Sequence, residues 1–596
     1  VIKKLWSYIG NYKLLIILSP LCVMLDVVCE LSMPFLMGKL VDKGIPALNL
    51  QYIIQVGILM IGLALVAMLF GSINHKLAAE VSQGFAANLR QALFDQVQSF
   101  SFSNIDTFST ASLVTRLTND VTQLQNTLLM SMRLLTRAPL MLICALVFAI
   151  AINAKLAIIL FIAIPVLVAG IWLIVGQAER FFKAVQAKID AVNGTVEENL
   201  IGIRVVKAFV REPHEKTKFK KSSDELSDTA IRAGNLVVTI MPIMLLVLNG
   251  ATIAVIWFGG HMVGNHQLGT GELVGFISYV MLILMSVLMV STILMMLARA
   301  RASAERIIEV LDTTPDIADK QSDVAPRAVA DLPVNAEAPS EKLAIQHGAI
   351  EFRHVDFKYT ATGKGENVLT DINLTIQPGE FVALVGGTGS GKSTMVSLIP
   401  RLYDVSDGQV LVDGVDVRDY KLATLRSSIG VVLQNNVLFS GTIRENLMWG
   451  NAAATQKEIE EAAQNAQAHD FIMSFPNGYD TDLGQGGVNV SGGQKQRLCI
   501  ARALLKKPHI LILDDSTSAV DSATEAKIRA SFRKNLKDTT ILTIAQRISS
   551  VQEADKIIVL DDGRVVGIGT HAELLANNPA YQAICASQME GVVVNG

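Results

Sequence analysis

The chain has 596 residues, 51% hydrophobic and 18% charged, with mean hydropathy +0.41, which is too apolar for a protein held wholly in water and implies that part of it lies in lipid. A net charge of −3 supplies no cation excess, so no nucleic-acid partner is expected. Cys22, Cys29, Cys144, Cys499 and Cys585 have no metal-ligand spacing and read as free thiols.

Taken in order, apolar runs of the roughly 20 residues needed to cross a bilayer lie at 14–36, 53–73, 156–175, 236–258 and 273–297. A shorter run at 138–152 becomes a span, third in order, if it extends back past Arg133 and Arg137 with these facing other helices or the interface. No cleavable signal peptide is expected, because the first run is too long and lacks a small-residue cleavage site.

Six spans put both ends on one side of the membrane. The segment after the fourth span carries Lys183, Lys188, Arg204, Lys207, Arg211, Lys216, Lys218, Lys220 and Lys221, whereas 259–272 has no Lys or Arg. The positive-inside rule therefore places the N-terminus, the two long loops and everything after the last span in the cytoplasm. Val196, Leu200, Ile203, Val206 and Val210 recur at helical spacing, so the long loops read as helices extending past the bilayer. Residues 104–112 and 209–218 are the expected points of mechanical coupling, with a solvated hairpin as the alternative.

Asp26 and Glu30 share one face of the first span, where an ionised group is costly unless paired or wetted. A cationic substrate, a proton relay or an external gate could each use them, as could simple hydration near the outer interface. Met281, Met285 and Met289 form a stripe on the last span suited to varied apolar ligands, to helix packing or to lipid contact.

Residues 312–347 are polar, with Pro315, Pro326, Pro333 and Pro339, and read as a linker between a six-span domain at 1–311 and a second domain at 348–596. Strand-like runs at 382–385, 429–433, 510–513, 540–544 and 556–560 alternate with helical stretches there, which predicts an α/β sheet flanked by helices. The first run leads into Gly386-Gly387-Thr388-Gly389-Ser390-Gly391-Lys392-Ser393-Thr394, a G-x-x-x-x-G-K-S loop. In such a loop backbone N–H groups close around phosphates, the lysine reaches the β- and γ-phosphates, and the serine faces Mg²⁺.

Downstream stand Gln434, then Val490-Ser491-Gly492-Gly493-Gln494, Asp514 at the end of an apolar run, Ser518-Ala519-Val520-Asp521, and Gln546. With Tyr359 ahead of the phosphate loop, this series resembles the nucleotide-binding domain of an ABC transporter over roughly 240 residues, and the six-span half fits a half-transporter of the exporter type. The implied fold is an all-α transmembrane domain followed by an α/β P-loop domain. The resemblance implies that Tyr359 stacks on adenine, that 386–394 holds the phosphates, and that Ser393, Gln434 and Asp514 attend Mg²⁺. Val490 to Gln494 would be the family's signature, in which Ser491, Gly492, Gly493 and Gln494 cap the ATP of a second half-transporter, since two such domains sandwich two nucleotides.

Two departures matter. Asp515 stands where the family has a catalytic Glu, one methylene shorter, and Gln546 stands where it has a switch His, so it cannot act as a cation or proton shuttle. Gln485 replaces the usual Glu of the pre-signature loop. The combination is similar to the degenerate-site subunit of bacterial heterodimeric multidrug exporters, whose partner supplies the Glu and His. The expectation is an ATPase of a bacterial inner membrane moving hydrophobic or cationic small molecules, slow at its own site, with Asp515, Gln546 and Gln434 as the catalytic set. The alternatives are a homodimeric lipid or peptide flippase and a channel or regulatory subunit on the same fold.

Overall fold

The computed structural model describes residues 2–319, 344–359, 366–516 and 519–593. Residues 320–343 of the expected linker, and Ser518, lie outside the described residues. The chain divides into two compact units, one of Val1–Val97 with Ala111–Asp312 and one of Gln98–Thr110 with Thr313–Gly596.

Among the described residues of the first unit, six helices are long and apolar enough to cross a membrane: Lys3–Gly44, Leu50–Ser99, Thr110–Ile152, Ala154–Ile174, Glu212–Gly264 and Thr270–Val290. Each expected span falls on one of them, the third running back through Arg133 and Arg137 as an extended helix with π-turns at Arg116–Asp120 and Ser131–Leu135. The helix Leu50–Ser99 has 50 residues, about 75 Å at 1.5 Å per residue, against a hydrocarbon core of about 30 Å. It therefore continues far outside lipid, as does Ala154–Ile201.

The 196–210 stretch is not one helix, however. Helix Ala154–Ile201 stops at Gly202, a short helix Ile203–Ala208 follows, and Val210 adopts φ 53° before the next helix begins at Glu212. The apolar positions thus belong to two helical segments. Leu200, Ile201, Val205, Phe209 and Val210 are all exposed there.

The core of this unit gathers Leu31, Phe276, Tyr279, Val280, Ile283 and Leu284. Tyr279 donates its hydroxyl to the Leu31 carbonyl at 2.5 Å and stacks on Phe148, with ring centroids 5.7 Å apart. This meets the rule that a buried phenol finds an acceptor. Met281 and Met285 are exposed from this core and Met289 is half-buried.

Asp26 and Glu30 have an internal partner. Arg137 of the third span donates one guanidinium nitrogen to each carboxylate. Asp26 is 8% exposed, so removing the cation strands a buried carboxylate. Arg137→Ala is expected to destabilise the unit by about 3 kcal/mol, near the lower end for a broken buried pair because Glu30 is partly exposed. The triple variant Asp26→Asn, Glu30→Gln, Arg137→Gln should lose far less. Unfolding of the purified protein in mixed detergent micelles measures both; equal losses would mean that the charges are not what the arginine compensates.

The described residues of the second unit contain ten strands: β1 (Ile350–Phe357), β2 (Leu369–Ile376), β3 (Phe381–Gly386), β4 (Asp407–Val412), β5 (Val415–Asp416), β6 (Ile429–Val432), β7 (Ile510–Asp514), β8 (Thr540–Ile544), β9 (Lys556–Asp561) and β10 (Arg564–Gly569). They form a four-stranded antiparallel sheet, order β2-β1-β4-β5, and a six-stranded sheet, order β10-β9-β3-β8-β7-β6. From β9 to β6 the second sheet is parallel, and these five strands are the ones expected from sequence; the antiparallel edge strand β10 was not.

Register sets where the chemistry collects. Ile544 of β8 pairs with both Leu384 of β3 and Asp514 of β7, and Gly386 pairs with Leu560 of β9. The carboxyl ends of β3, β7 and β8 are therefore level, and the residues that follow each strand emerge side by side.

Candidate functional site

The phosphate loop leaves β3 at Gly386 with φ 155°, and a Cβ there would lie 2.2 Å from the Leu560 carbonyl oxygen. Only glycine permits that approach. Gly389 and Gly391 also have positive φ, and Gly387, Thr388 and Gly389 form an exposed crest above the buried Ser390. The turn ends where helix Lys392–Leu398 begins.

Lys392 Nζ donates to the carbonyls of Gly386 at 3.0 Å and Gly387 at 2.6 Å and to Ser390 Oγ at 3.1 Å. The ammonium thus lies over its own loop. Burial lowers its pKa, opposed by Asp514 and Asp515, so an arriving polyphosphate would meet a cation already partly stripped of water.

Ser393 Oγ donates to Asp514 Oδ1 at 2.9 Å. Burial raises the Asp514 pKa, with the Ser393 bond and Lys392 acting the other way. Among the described residues no group of three His, Cys, Asp or Glu could hold a metal by itself. One hydroxyl and one carboxylate, both hard oxygen donors, do suit Mg²⁺, which keeps several waters and takes further oxygens from a bound triphosphate.

Asp515 follows β7 with φ 46°, and its N–H donates to the Ile544 carbonyl at 3.2 Å. Two residues past β8, Gln546 donates from Nε2 to Asp515 Oδ2 at 2.8 Å. Burial and then Asp514 push the Asp515 carboxyl above its ordinary range, while Lys392, Arg547 and the Gln546 bond pull it down. The Gln546 backbone is itself tied from outside, Gln588 Nε2 donating to its main-chain carbonyl at 2.6 Å.

Tyr359 lies beyond β1 and shares a 2.9 Å hydrogen bond between its hydroxyl and Thr394 Oγ1. Its ring meets Phe357 and Tyr403 edge to face, with centroids 4.9 and 5.3 Å away. The structure thus groups Tyr359, 386–394, Asp514, Asp515 and Gln546 around the ends of three strands. Gln434 follows β6 and is exposed.

Ser491–Gln494 has different company. Ser491 caps helix Gly492–Leu505: its Oγ accepts from Gln494 N at 3.3 Å, while Gln494 Oε1 accepts from Ser491 N at 2.9 Å. A Cβ on Gly493 would sit 2.8 Å from the Ala519 carbonyl oxygen, and Ala519 N donates to Gln496 Oε1 at 3.0 Å. Ser491 and Gly492 are exposed, leaving a helix N-terminus open to an anion. Gln485 begins the 3-10 turn Gln485–Gly487, and Lys495 Nζ donates to the Gly486 carbonyl at 2.8 Å.

Sequence reasoning missed Tyr403 and Gln588, because neither belongs to a motif and both meet the site only through the tertiary fold. It also did not pair Arg137 with Asp26 and Glu30, although two carboxylates and two arginines in neighbouring spans were a usable sign of charge balance.

The pattern described as the ABC transporter transmembrane region matches residues 16–287, and that described as ABC transporter matches 369–518. The chain is 39% identical to an ABC transporter ATP-binding protein of Bacillus subtilis (strain 168), YfiB, over 98% of each chain. It is 35% identical to an ATP-dependent lipid A-core flippase of Syntrophus aciditrophicus (strain SB), over 84% of this chain and 80% of that one. With a candidate multidrug export ATP-binding/permease protein of Bacillus subtilis, YgaD, identity is 33% over 99% of each. Among solved structures, a bacterial Atm1-family ABC exporter with ATP bound superposes with TM-score 0.77 at 25% identity, covering 97% of this chain and 99% of that one.

Proposed function

The chain belongs to the ABC transporter family as a half-transporter of the exporter type, an ATPase coupled to transport, and from that premise we propose that it is the degenerate-site subunit of a heterodimeric exporter. The observation that carries this is the Asp515–Gln546 hydrogen bond. The carboxylate available to polarise an attacking water is one methylene short and is engaged by an amide that can neither carry a positive charge nor shuttle a proton. ATP on this phosphate loop is therefore retained more than hydrolysed, while the open Ser491–Gly492 helix end completes the partner's site.

In this reading Tyr359 stacks on the base, the loop 386–394 holds the triphosphate, and Ser393, Asp514 and Gln434 attend Mg²⁺, which when bound neutralises phosphate charge. The partner brings a Glu and a His. Exposed Leu200, Ile201, Val205, Phe209 and Val210, clustered at the turn between two long helices, support pairing, since a patch of that kind marks an interaction surface. ATP binding draws the two motor domains together and hydrolysis in the partner's site resets them. That cycle requires only that ATP have different affinities for the two conformations.

The cargo is hydrophobic or amphipathic, moved from the cytoplasm or inner leaflet of a bacterial inner membrane, with the nucleotide domain cytoplasmic. Arg137 pairs with both Asp26 and Glu30, which weakens the case for a cationic cargo without cancelling it, since one guanidinium offsets only one of two carboxylates. Similarity to YgaD supports multidrug export, and similarity to the lipid A-core flippase supports the second reading, a lipid flippase.

ATPase activity of the chain purified alone in lipid, beside the chain copurified from native membranes with whatever half-transporter it binds, tests the assignment. Negligible activity alone with robust activity in the pair is the expected result. Robust activity alone would make Asp515 a sufficient base and the protein a homodimer.

A further inference from the structure

The unit that holds the nucleotide site includes Gln98–Thr110, the turn that joins the second and third spans. Its short helix Phe102–Thr107 is capped by Asn104 Oδ1, which accepts from Ser101 N at 3.1 Å and Ser101 Oγ at 2.6 Å. Stacking of Phe100 on Phe108, 5.7 Å apart at 11°, closes the turn, and Ser103 Oγ donates to Asp316 Oδ2 at 2.7 Å. A small, internally braced body results.

One side chain joins that body to the nucleotide site. Tyr403 donates its hydroxyl to Asp106 Oδ2 at 2.7 Å, and its ring lies 6.1 Å from Phe102. On the other side the same ring meets Tyr359 edge-on, 5.3 Å away at 90°, and Phe357 at 5.7 Å. Burial, then the hydrogen bond to Asp106, hold the Tyr403 hydroxyl above its ordinary pKa, so it remains a donor across the working pH range.

We propose that Tyr403 is a positioning residue that passes occupancy of the Tyr359 ring by a nucleotide base to the turn Gln98–Thr110. A base stacking on one face of Tyr359 fixes the plane of that ring, which in the free site is held through its hydroxyl by Thr394. Edge-to-face pairs have preferred geometry, so the plane of Tyr359 selects the setting of Tyr403. Its hydroxyl and ring then set Asp106 and Phe102 together. Packed aromatic clusters shift between discrete arrangements more readily than they deform. The turn would thereby report adenine, as distinct from phosphate. The proposal rests on Tyr359 being the base platform.

Hydrogen exchange on the full chain in lipid nanodiscs, with Mg²⁺ and either ATP or inorganic tripolyphosphate, separates the two signals. Both ligands should slow exchange at 386–394, but only ATP should slow it at 355–359 and, by about 5-fold, at 100–108. Tyr403→Phe, which keeps the ring and removes the bond to Asp106, should retain the ATP effect at 355–359 and lose most of it at 100–108. Asp106→Ala, on an exposed residue outside the nucleotide site, removes the acceptor, should do the same and carries the test if Tyr403→Phe binds ATP poorly. Equal slowing of 100–108 by tripolyphosphate, or full retention of the ATP effect in both variants, overturns the relay. Equal slowing of 355–359 by the two ligands overturns the platform role of Tyr359 and the relay with it.

Discussion

Replacing Gly493 with valine is expected to lower ATP turnover of the assembled transporter by about 10²-fold, the scale of loss when reacting groups are displaced by about 1 Å, while fluorescent-ATP binding to this chain's own phosphate loop stays unchanged. A Cβ at Gly493 would come within 2.8 Å of the Ala519 carbonyl oxygen, and that contact is with backbone, so something must move. The Ala519 N–H is fixed by Gln496 on the same helix as Gly493, which leaves the exposed Ser491–Gly492 end as the part free to shift. That end is the surface assigned to the partner's γ-phosphate. The chain's own phosphate loop is held elsewhere, its lysine and serine by Gly386, Gly387, Ser390 and Asp514. Loss of turnover with retained binding and an unchanged melting temperature is thus the signature of a residue working in trans. Full turnover in Gly493→Val would remove the signature helix from the catalytic site of the pair.

What the sequence disclosed depended on how each residue met its surroundings. The parallel strands β3, β6, β7, β8 and β9 are apolar on both faces and stand out as continuous runs. β1 and β2 alternate buried with less buried positions, β4 is buried only in its second half and β10 nowhere, and β5 is two residues long, so none of these rises above the background of turns. The phosphate loop was legible because a backbone geometry dictates it: Gly386 cannot carry a side chain beneath Leu560. The six spans were legible by length and hydropathy, whereas the break at Gly202 was not, since apolar spacing continues across it. Arg137 and Tyr403 belong to a third kind. Their partners lie 111 and 297 residues away in sequence, and no local pattern marks a contact that only the folded chain creates. The closure of Gln546 on Asp515 lies in between. Both residues were conspicuous by departing from a pattern, but their contact follows from the pairing of Asp514 with Ile544.

A chain carrying Asp515→Glu together with Gln546→His is expected to gain hydrolysis at its own phosphate loop by about 10²-fold, because both defects lie in one site and each is a matter of reach or protonation. Glutamate extends the carboxylate by one methylene toward an attacking water. Histidine in place of the amide can bear a proton, which glutamine cannot at any pH. Asp515→Glu alone should gain less, since Gln546 would still engage the new carboxylate from the neighbouring strand. Under the proposed assignment the partner's site carries the flux, so turnover of the pair should change only modestly. The readout must therefore belong to this chain: vanadate-trapped 8-azido-ADP bound to it, counted after separation from its partner. The sign of the pH dependence follows from the environment. Burial and Asp514 hold the Asp515 carboxyl above the ordinary carboxylate range, and a base must be ionised to act, so the residual hydrolysis of the unmodified chain at this site should fall as pH drops through that raised value, earlier than for a free carboxylate. A double variant that traps no more ADP than the unmodified chain would mean that the limit lies elsewhere in the composite site, in what the partner's own signature presents to this nucleotide.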